Sequence, residues 1–499
     1  MAVSQSRGAV CVGMTGQVVE VQVHLSNGLP GMTIVGLPDT SINESRDRVR
    51  SAVVNSGFEW PSGRITVGLS PAFEHKRGSG LDLAVAMAVL AGSGAVTDRQ
   101  VDRSVFVGEL GLDGSVRAIP GAVAMALGVA RSKAVDRIFA GPTTAVQIAR
   151  VPGVRVVPVT SLSEAVAVVR GETGAAEVPA PVEITTGVFP ELADVVGQPL
   201  ACWALEIAAA GGHHLLMTGP PGVGKTMLAQ RLPGLLPPLT DAQVLEVAAI
   251  RDALDGSGTA VTRVPPFCAP HHTASHVAMV GGALGGTTRP GQITLAHHGV
   301  LFLDEAPEFA RMTLEGLRQP LEEGSVGISR AAVTERLPAA FQLVLAANPC
   351  PCGQERVCQC TATEVRRYRI RLSGPLLDRV DLRIRLEPAR GEVPGERSSE
   401  VRERVARARR RAAERLAPHG HALNARVPGA LLHAELAPTP AAVELLRTYA
   451  ADAGWSRRSV DRVMRVAWTV ADLADQERPD ISSIQHAVLL RTNSVEGGR

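Results

Sequence analysis

Three scarcities frame this sequence. Aromatic residues make up 3% of 499 positions, with two tyrosines and four tryptophans. That argues against a protein that stacks successive bases on aromatic faces. Lysine is nearly absent: of 51 basic residues, only Lys76, Lys133 and Lys225 are lysines, so a lysine marks a place where arginine does not serve. Neither sign of charge prevails, the formal sum being +2. A histone-like or an acidic, solvating protein is excluded, and any contact with nucleic acid must be local. No window approaches the ~18 uninterrupted apolar residues of a membrane span, so no membrane partner is expected. The opening residues MAVSQSRGAV lack the apolar stretch of a signal peptide.

Seven cysteines are present, but not as an evenly spread disulfide framework. Cys11, Cys202 and Cys268 are scattered, whereas Cys350, Cys352, Cys358 and Cys360 fall within eleven residues. A reducing, cytoplasmic location is the expectation. Hydrophobic residues at 45% and charged residues at 20% allow several cores, and the length suggests about three domains.

Residues 1–170 alternate β-rich runs (18–23, 64–69, 105–110, 138–140) with apolar helical stretches (81–91, 122–130), which predicts an α/β domain. Residues 171–190 have a linker's Pro, Gly and Glu content. A second α/β block is expected over 191–390. After a polar break at 390–399, residues 391–499 read as helical, with patterns at 400–416, 440–450, 456–474 and 481–490.

Residues 219–226 read Gly219-Pro220-Pro221-Gly222-Val223-Gly224-Lys225-Thr226. This is the G-x-x-x-x-G-K-[ST] pattern: glycines turn backbone N–H groups toward phosphates, the lysine supplies a point charge, and the hydroxyl serves magnesium. A short apolar run at 215–218 precedes it and a helix is predicted over 227–232, so the order is strand, loop, helix. A second apolar run, 300–303, ends in Asp304-Glu305, placing two carboxylates where a parallel strand ends. Asp304 suits magnesium and Glu305 suits the attacking water. A third strand pattern, 341–346, leads to Asn348. That residue either contacts the water or γ-phosphate or simply starts an Asn-Pro turn. ATP and magnesium are the cofactors this set implies.

The four clustered cysteines can close a tetrahedral zinc site; reduced thiols or a labile disulfide are the other readings. The adjacent His271 and His272 have no carboxylate or thiol at a ligand spacing. The arginine run 404–411 reads as a solvated helix face.

With these elements in place, the chain resembles the AAA+ ATPases of the helix-2-insert group, and more closely the magnesium-chelatase-like ComM/YifB family. The resemblance runs through residues 28–61, GPPGVGKT at 219–226, PHHTAS at 270–275, GVLFLDEAPEF at 299–309, LRQPLEEG at 317–324, NPCPCG at 348–353 and SGPLLDRVDL at 373–382. It implies an α/β chain with a Lon-protease/ribosomal-S5-like N-terminal domain, a central P-loop domain and a helical lid. It also implies a hexamer with ATP between subunits. Arg379 matches the arginine-finger position; a salt bridge to Asp378 or Asp381 is its other reading. Arg458 matches the lid arginine, with Arg457 and Arg462 as rivals. The family places a pore-facing insert between the phosphate loop and Asp304, where His271, His272 and Arg289 can meet DNA phosphates. It also places a hairpin over 326–340, where Arg330 and Arg336 can do so. This chain departs from the family at Cys268 and Gln292, where arginine and glutamate are usual. The implied activity is an ATP-driven motor on branched or single-stranded DNA, a helicase or branch-migration enzyme of recombination and natural transformation. The alternative is a chelatase-type motor that remodels a partner protein. In the N-terminal domain the Lon-type serine and lysine would fall near Gly80 and Val123. Neither is present, although Ser79 and Lys76 lie close by, so no proteolysis is expected.

Overall fold

The computed structural model describes residues 3–36, 40–71, 79–179, 183–184, 187–255, 261–284, 287–329, 334–354, 358–388 and 394–492. The chain forms two compact units. One joins Met1–Ile184 to Thr240–Thr262, and the other joins Thr185–Leu239 to Arg263–Arg499.

In the first unit, strands Val3–Val12, Thr15–Ser26 and Arg64–Ser70 pair antiparallel in that order, and Gly31–Val35 joins the last in parallel. Alternation along VVEVQV sends Val19, Val21 and Val23 into the core and turns Glu20 and Gln22 away, as period-2 geometry requires. The helix Asp82–Gly92 is apolar all round and accordingly buried all round from Leu83 to Leu90. A second, parallel sheet holds Ser104–Val107, Arg137–Ala140 and Arg155–Pro158. The strand expected over 105–110 is divided at Gly108, where an added Cβ would lie 2.6 Å from Val116 Cγ1.

Helix Asp241–Asp255, drawn from within the 191–390 segment, folds with this unit. Its Leu245 and Ala249 are buried with Ala122, Val123 and Ala126. Its Asp252 carboxylate accepts a 3.0 Å hydrogen bond from the Val123 N–H, satisfying a donor at the start of helix Ala122–Ala130.

The second unit is built on a five-stranded, all-parallel sheet ordered Phe267–Cys268, Val300–Leu303, Gln342–Ala347, Leu215–Thr218, Leu382–Arg385. Its inner strands are continuous apolar runs, the signature of a sheet covered on both faces. The helices Ser398–Leu416, Pro440–Asp452, Arg457–Leu473 and Ile481–Thr492 share one core with that sheet. Leu215, Val344 and Leu382 belong to the same cluster as Val405, Trp468 and Ile484. No helix among the described residues is long and apolar enough to cross a membrane.

Candidate functional site

The strand Leu215–Thr218 lies between Gln342–Ala347 and Leu382–Arg385, and the loop 219–224 leaves its carboxyl end. Gly222 and Gly224 have φ of +78° and +97°, a region that side chains disfavour. At Gly222 nothing lies within 4 Å of an added Cβ, so backbone conformation rather than space demands glycine there. The helix begins at Lys225 and ends at Ala229, earlier at both ends than the sequence pattern predicts, and Leu232–Leu235 follows with Pro233.

Lys225 is 8% exposed. Its Nζ donates to the carbonyls of Gly219 and Pro220 at 2.7 and 2.9 Å and to Asn348 Oδ1 at 3.0 Å. Burial pulls its pKa below the usual lysine value, while the carboxylates of Asp304 and Glu305 oppose that shift. Thr226 Oγ1 donates to Asp304 Oδ2 at 2.6 Å, and Asp304 Oδ1 accepts from the Glu305 N–H at 2.9 Å. A hydroxyl and a carboxylate at contact distance form an oxygen-rich corner of the kind magnesium takes. Glu305 has φ +49°, rare for a residue with a Cβ and frequent at functional sites. The structure thus gathers Lys225, Thr226, Asp304, Glu305 and Asn348 at the carboxyl ends of three adjacent strands. Beside them Thr218, Gly219, Asn348, Tyr368, Arg383 and Arg385 line a cavity of about 290 Å³.

Arg379 is 8% exposed. It donates to Pro375 O at 2.5 Å and to the Glu322 carboxylate. Glu322, from LRQPLEEG, is the carboxylate that sequence reasoning missed, although Asp378 and Asp381 lie nearer to Arg379 along the chain. Of the lid candidates, Arg462 is committed elsewhere: it donates to Asp378 O at 2.6 Å and to Asp381 Oδ1 at 2.5 Å. Burial raises the pKa of Asp381, but Arg462 and then His213 outweigh it and hold that carboxylate well below its ordinary value. Arg457 and Arg458, one turn earlier on the same helix, are exposed.

His271 Nδ1 pairs with Thr273 Oγ1 at 2.9 Å. His272 Nδ1 lies 3.3 Å from Glu305 Oε2, a pairing the sequence alone does not signal. The strands Gly281–Leu284 and Thr287–Pro290 form one hairpin, and Ser325–Ser329 and Thr334–Pro338 form another. The two abut, a Cβ on Gly281 falling 2.9 Å from Ile328 Cδ1. Arg289 is exposed. Arg336 pairs with Glu323 at 2.8 Å, and Arg330 lies outside the described residues. The arginine run is the solvated face its composition predicts only in part: Arg407 and Arg410 are exposed, whereas Arg404, Arg409 and Arg411 are half-buried. Arg404 grips Glu206 at 2.6 and 3.1 Å, and Arg409 and Arg411 each donate to a backbone carbonyl at 2.8 Å. Those bonds fasten the helix Ser398–Leu416 to its neighbours, because half-buried guanidiniums must find acceptors.

The four clustered cysteines converge. Sγ separations are 3.4 Å for Cys350–Cys352, 3.7 Å for Cys352–Cys358 and 3.5 Å for Cys358–Cys350, and all four ligand atoms, Cys360 included, lie within 4.8 Å of one another. Tetrahedral Zn–S bonds of about 2.3 Å require sulfur–sulfur separations of about 3.8 Å, so the donor set fits zinc. Burial and the neighbouring thiols push Cys350 up to about 12. Hydrogen bonding to the Gln354 backbone, Cys350 and Cys360 brings Cys352 down to about 6.

In the N-terminal unit, a Cβ at Gly80 would lie 2.9 Å from the terminal methyl of Ile119 and 3.9 Å from the next atom, so sterics alone do not bar a serine there. Val123 is buried in the core. Ser79 hydrogen-bonds Glu109, and Lys76 lies outside the described residues.

Comparison with known proteins follows these features along the whole chain. The family described as subunit ChlI of magnesium chelatase matches residues 191–393, a second description of that subunit matches 21–142, and its C-terminal family matches 395–491. The chain is 40% identical to the uncharacterized protein YifB of Escherichia coli, over 97% of this chain and 96% of that one. It is 38% identical to the competence protein ComM of Haemophilus influenzae, over 96% and 95%. A stretch covering 32% of each chain is 29% identical to Lon protease 2 of Bacillus subtilis.

Proposed function

Because the chain belongs to the magnesium-chelatase-like ComM/YifB family of AAA+ ATPases, we propose that it is an ATP-hydrolysing ring motor that moves DNA, by branch migration or strand separation, during recombination of incoming DNA. One observation carries this reading: the insert that bears the hairpin strands Gly281–Leu284 and Thr287–Pro290 also bears His272, 3.3 Å from Glu305 Oε2, and the hairpin that follows Asp304 abuts it at Gly281 and Ile328, so a polymer held by the two hairpins is close along the chain to the hydrolytic residues. A relative of full length named as a competence protein supports DNA as that polymer.

In this reading Lys225 and the loop N–H groups hold the phosphates, Thr226 and Asp304 hold magnesium, and Glu305 with Asn348 orients the attacking water. Arg379 completes the site of a neighbouring subunit in a hexamer, and Arg458 reports occupancy from the lid. Arg289, Arg330 and Arg336 contact DNA phosphates without regard to sequence, and such contacts weaken steeply with salt. The cysteine cluster holds a structural zinc, and the N-terminal unit acts as a scaffold without proteolysis. Residues 1–170, 191–390 and 391–499 serve as scaffold, motor and lid.

The second reading, a motor that remodels a protein, is favoured by the chelatase-subunit description of the matching families. ATP turnover with and without forked or four-way DNA separates the two. Stimulation and strand movement that vanish in Lys225→Ala support the DNA motor; DNA-indifferent turnover without strand movement supports the other.

A further inference from the structure

We infer that the cavity lined by Arg383 and Arg385, on the face of the parallel sheet turned away from the phosphate-loop helix, is a binding site for inorganic phosphate. Its link to hydrolysis rests on the reading of Lys225 as the residue that holds the γ-phosphate. The face follows from the pleat of the strands. Leu382 and Ile384 are buried with Leu215, Met217 and Leu228 of the helix Lys225–Ala229. Arg383 and Arg385 alternate with them and so take the opposite face. Leu216 and Thr218 stand in register beside the two arginines, and all four line the cavity of about 290 Å³. Tyr368 and Arg369 of the helix Ala362–Ile370 contribute to the same lining.

Cations beneath a helix are costly unless an anion meets them. Three arginines and no carboxylate line this cavity among the described residues. Arg383 is half-buried. Its Nη2 donates to Leu377 O at 2.6 Å, whereas its buried Nε finds no acceptor among the described residues. The chain therefore leaves this guanidinium with a donor it does not fill. Burial lowers the pKa of Arg383, Asp378 opposes that shift, and Arg462 adds to it. Asp381, the other carboxylate that opposes it, is already taken by Arg462 at 2.5 Å. Burial pushes Tyr368 up to about 12, so its hydroxyl stays protonated. Guanidiniums engage phosphate oxygens through fixed N–H forks, which makes a tetrahedral oxyanion the ligand class. Position selects phosphate within that class. Gly219 and Asn348 line the cavity, and both accept from Lys225 Nζ, at 2.7 and 3.0 Å. The lysine and the arginines thus lie on either side of one wall.

The test is calorimetric titration of inorganic phosphate into the full chain saturated with magnesium and ADP, for wild type, Arg383→Met, Arg383→Lys and Arg369→Gln. Wild type should bind one phosphate. Arg383→Met should weaken that binding at least about tenfold, the scale of a hydrogen bond to a charged group, with ADP affinity unchanged. Arg383→Lys keeps the charge and should fall between the two. Arg369 is exposed, so Arg369→Gln probes the same cavity should Arg383→Met not fold, and it should weaken binding about two- to fivefold. No phosphate bound by wild type overturns the inference, as does undiminished binding by folded Arg383→Met, or by Arg369→Gln where Arg383→Met does not fold. Phosphate release in a single turnover, read beside the chemical step, tells the sources of the anion apart. A changed release rate in Arg383→Met marks phosphate freed by hydrolysis, and an unchanged one marks phosphate taken from solution. If the chain turns over no ATP while the titration holds, the hydrolytic reading fails and the site stands. If turnover is normal and no phosphate binds, the site alone falls.

Discussion

Thr226 and Asp304, 78 positions apart in sequence, meet through a 2.6 Å hydrogen bond from hydroxyl to carboxylate. The contact exists because the strands that precede them, Leu215–Thr218 and Val300–Leu303, both flank Gln342–Ala347 in one parallel sheet. Replacing either residue removes an oxygen from the magnesium corner without emptying the lysine pocket. Thr226→Ala and Asp304→Asn should each lower ATP turnover about 100-fold, the scale of losing one charge-stabilising group. ATP binding should fall far less, and equilibrium binding beside a turnover assay reads both.

This part of the site is legible in the sequence because its determinants are contiguous. Eight residues specify the loop, and an apolar run ending in two acids specifies the strand. What the sequence does not show is decided by residues far apart. The lid arginine is ambiguous in the sequence because Arg457, Arg458 and Arg462 lie within the first turn and a half of one helix; the buried Asp381 removes Arg462 from the choice. Helix Asp241–Asp255 gives no local sign that its apolar positions fold with residues 1–184. Helix Thr40–Asn55 escapes a periodicity reading because TSINESRDRVRSAVVN is mostly polar, with apolar residues gathered toward its end.

The Arg379–Glu322 pair bears on assembly. An arginine that completes a neighbour's site is dispensable for its own subunit's nucleotide binding. Arg379→Ala should therefore bind ATP yet turn it over at least about 1000-fold more slowly. Mixing Arg379→Ala with Lys225→Ala subunits should restore partial turnover, since some interfaces then carry an intact lysine and an intact arginine. No recovery on mixing assigns Arg379 to the interior of its own subunit.

The cysteine cluster predicts one zinc per chain. Elemental analysis of protein purified under reducing conditions should find it. Cys352→Ser and Cys358→Ser should each release it, because a structural tetrahedral site is closed by four ligands. Gly353 packs against Pro221 of the phosphate loop, an added Cβ falling 2.6 Å from its Cγ. Metal loss should therefore also weaken ATP binding.

Arg462 and Asp381 fasten the helix Arg457–Leu473 to the sheet edge. Arg462→Met leaves a fully buried carboxylate without its cation, a loss of about 3–5 kcal/mol. Denaturant titration should show that drop, and adding Asp381→Leu should recover much of it, because the buried charge is then gone as well.

His214 sets an acid limit on the same unit. It is buried, and its Nδ1 accepts a 3.0 Å hydrogen bond from the Leu343 N–H. Burial lowers its pKa to about 3, with Asp381 opposing the shift. An unfolded histidine titrates near 6.5, so between about pH 3 and 6.5 the unfolded chain binds a proton that the folded chain refuses. Stability therefore rises with pH across that window and is complete above it. Lowering the pH from 7 to 5 should cost about 2 kcal/mol through this residue alone. His214→Asn keeps an acceptor for Leu343 and cannot titrate. Denaturation midpoints measured at both pH values should therefore fall less for the variant than for wild type, and equal falls would mean that the proton enters the folded protein as readily as the unfolded one.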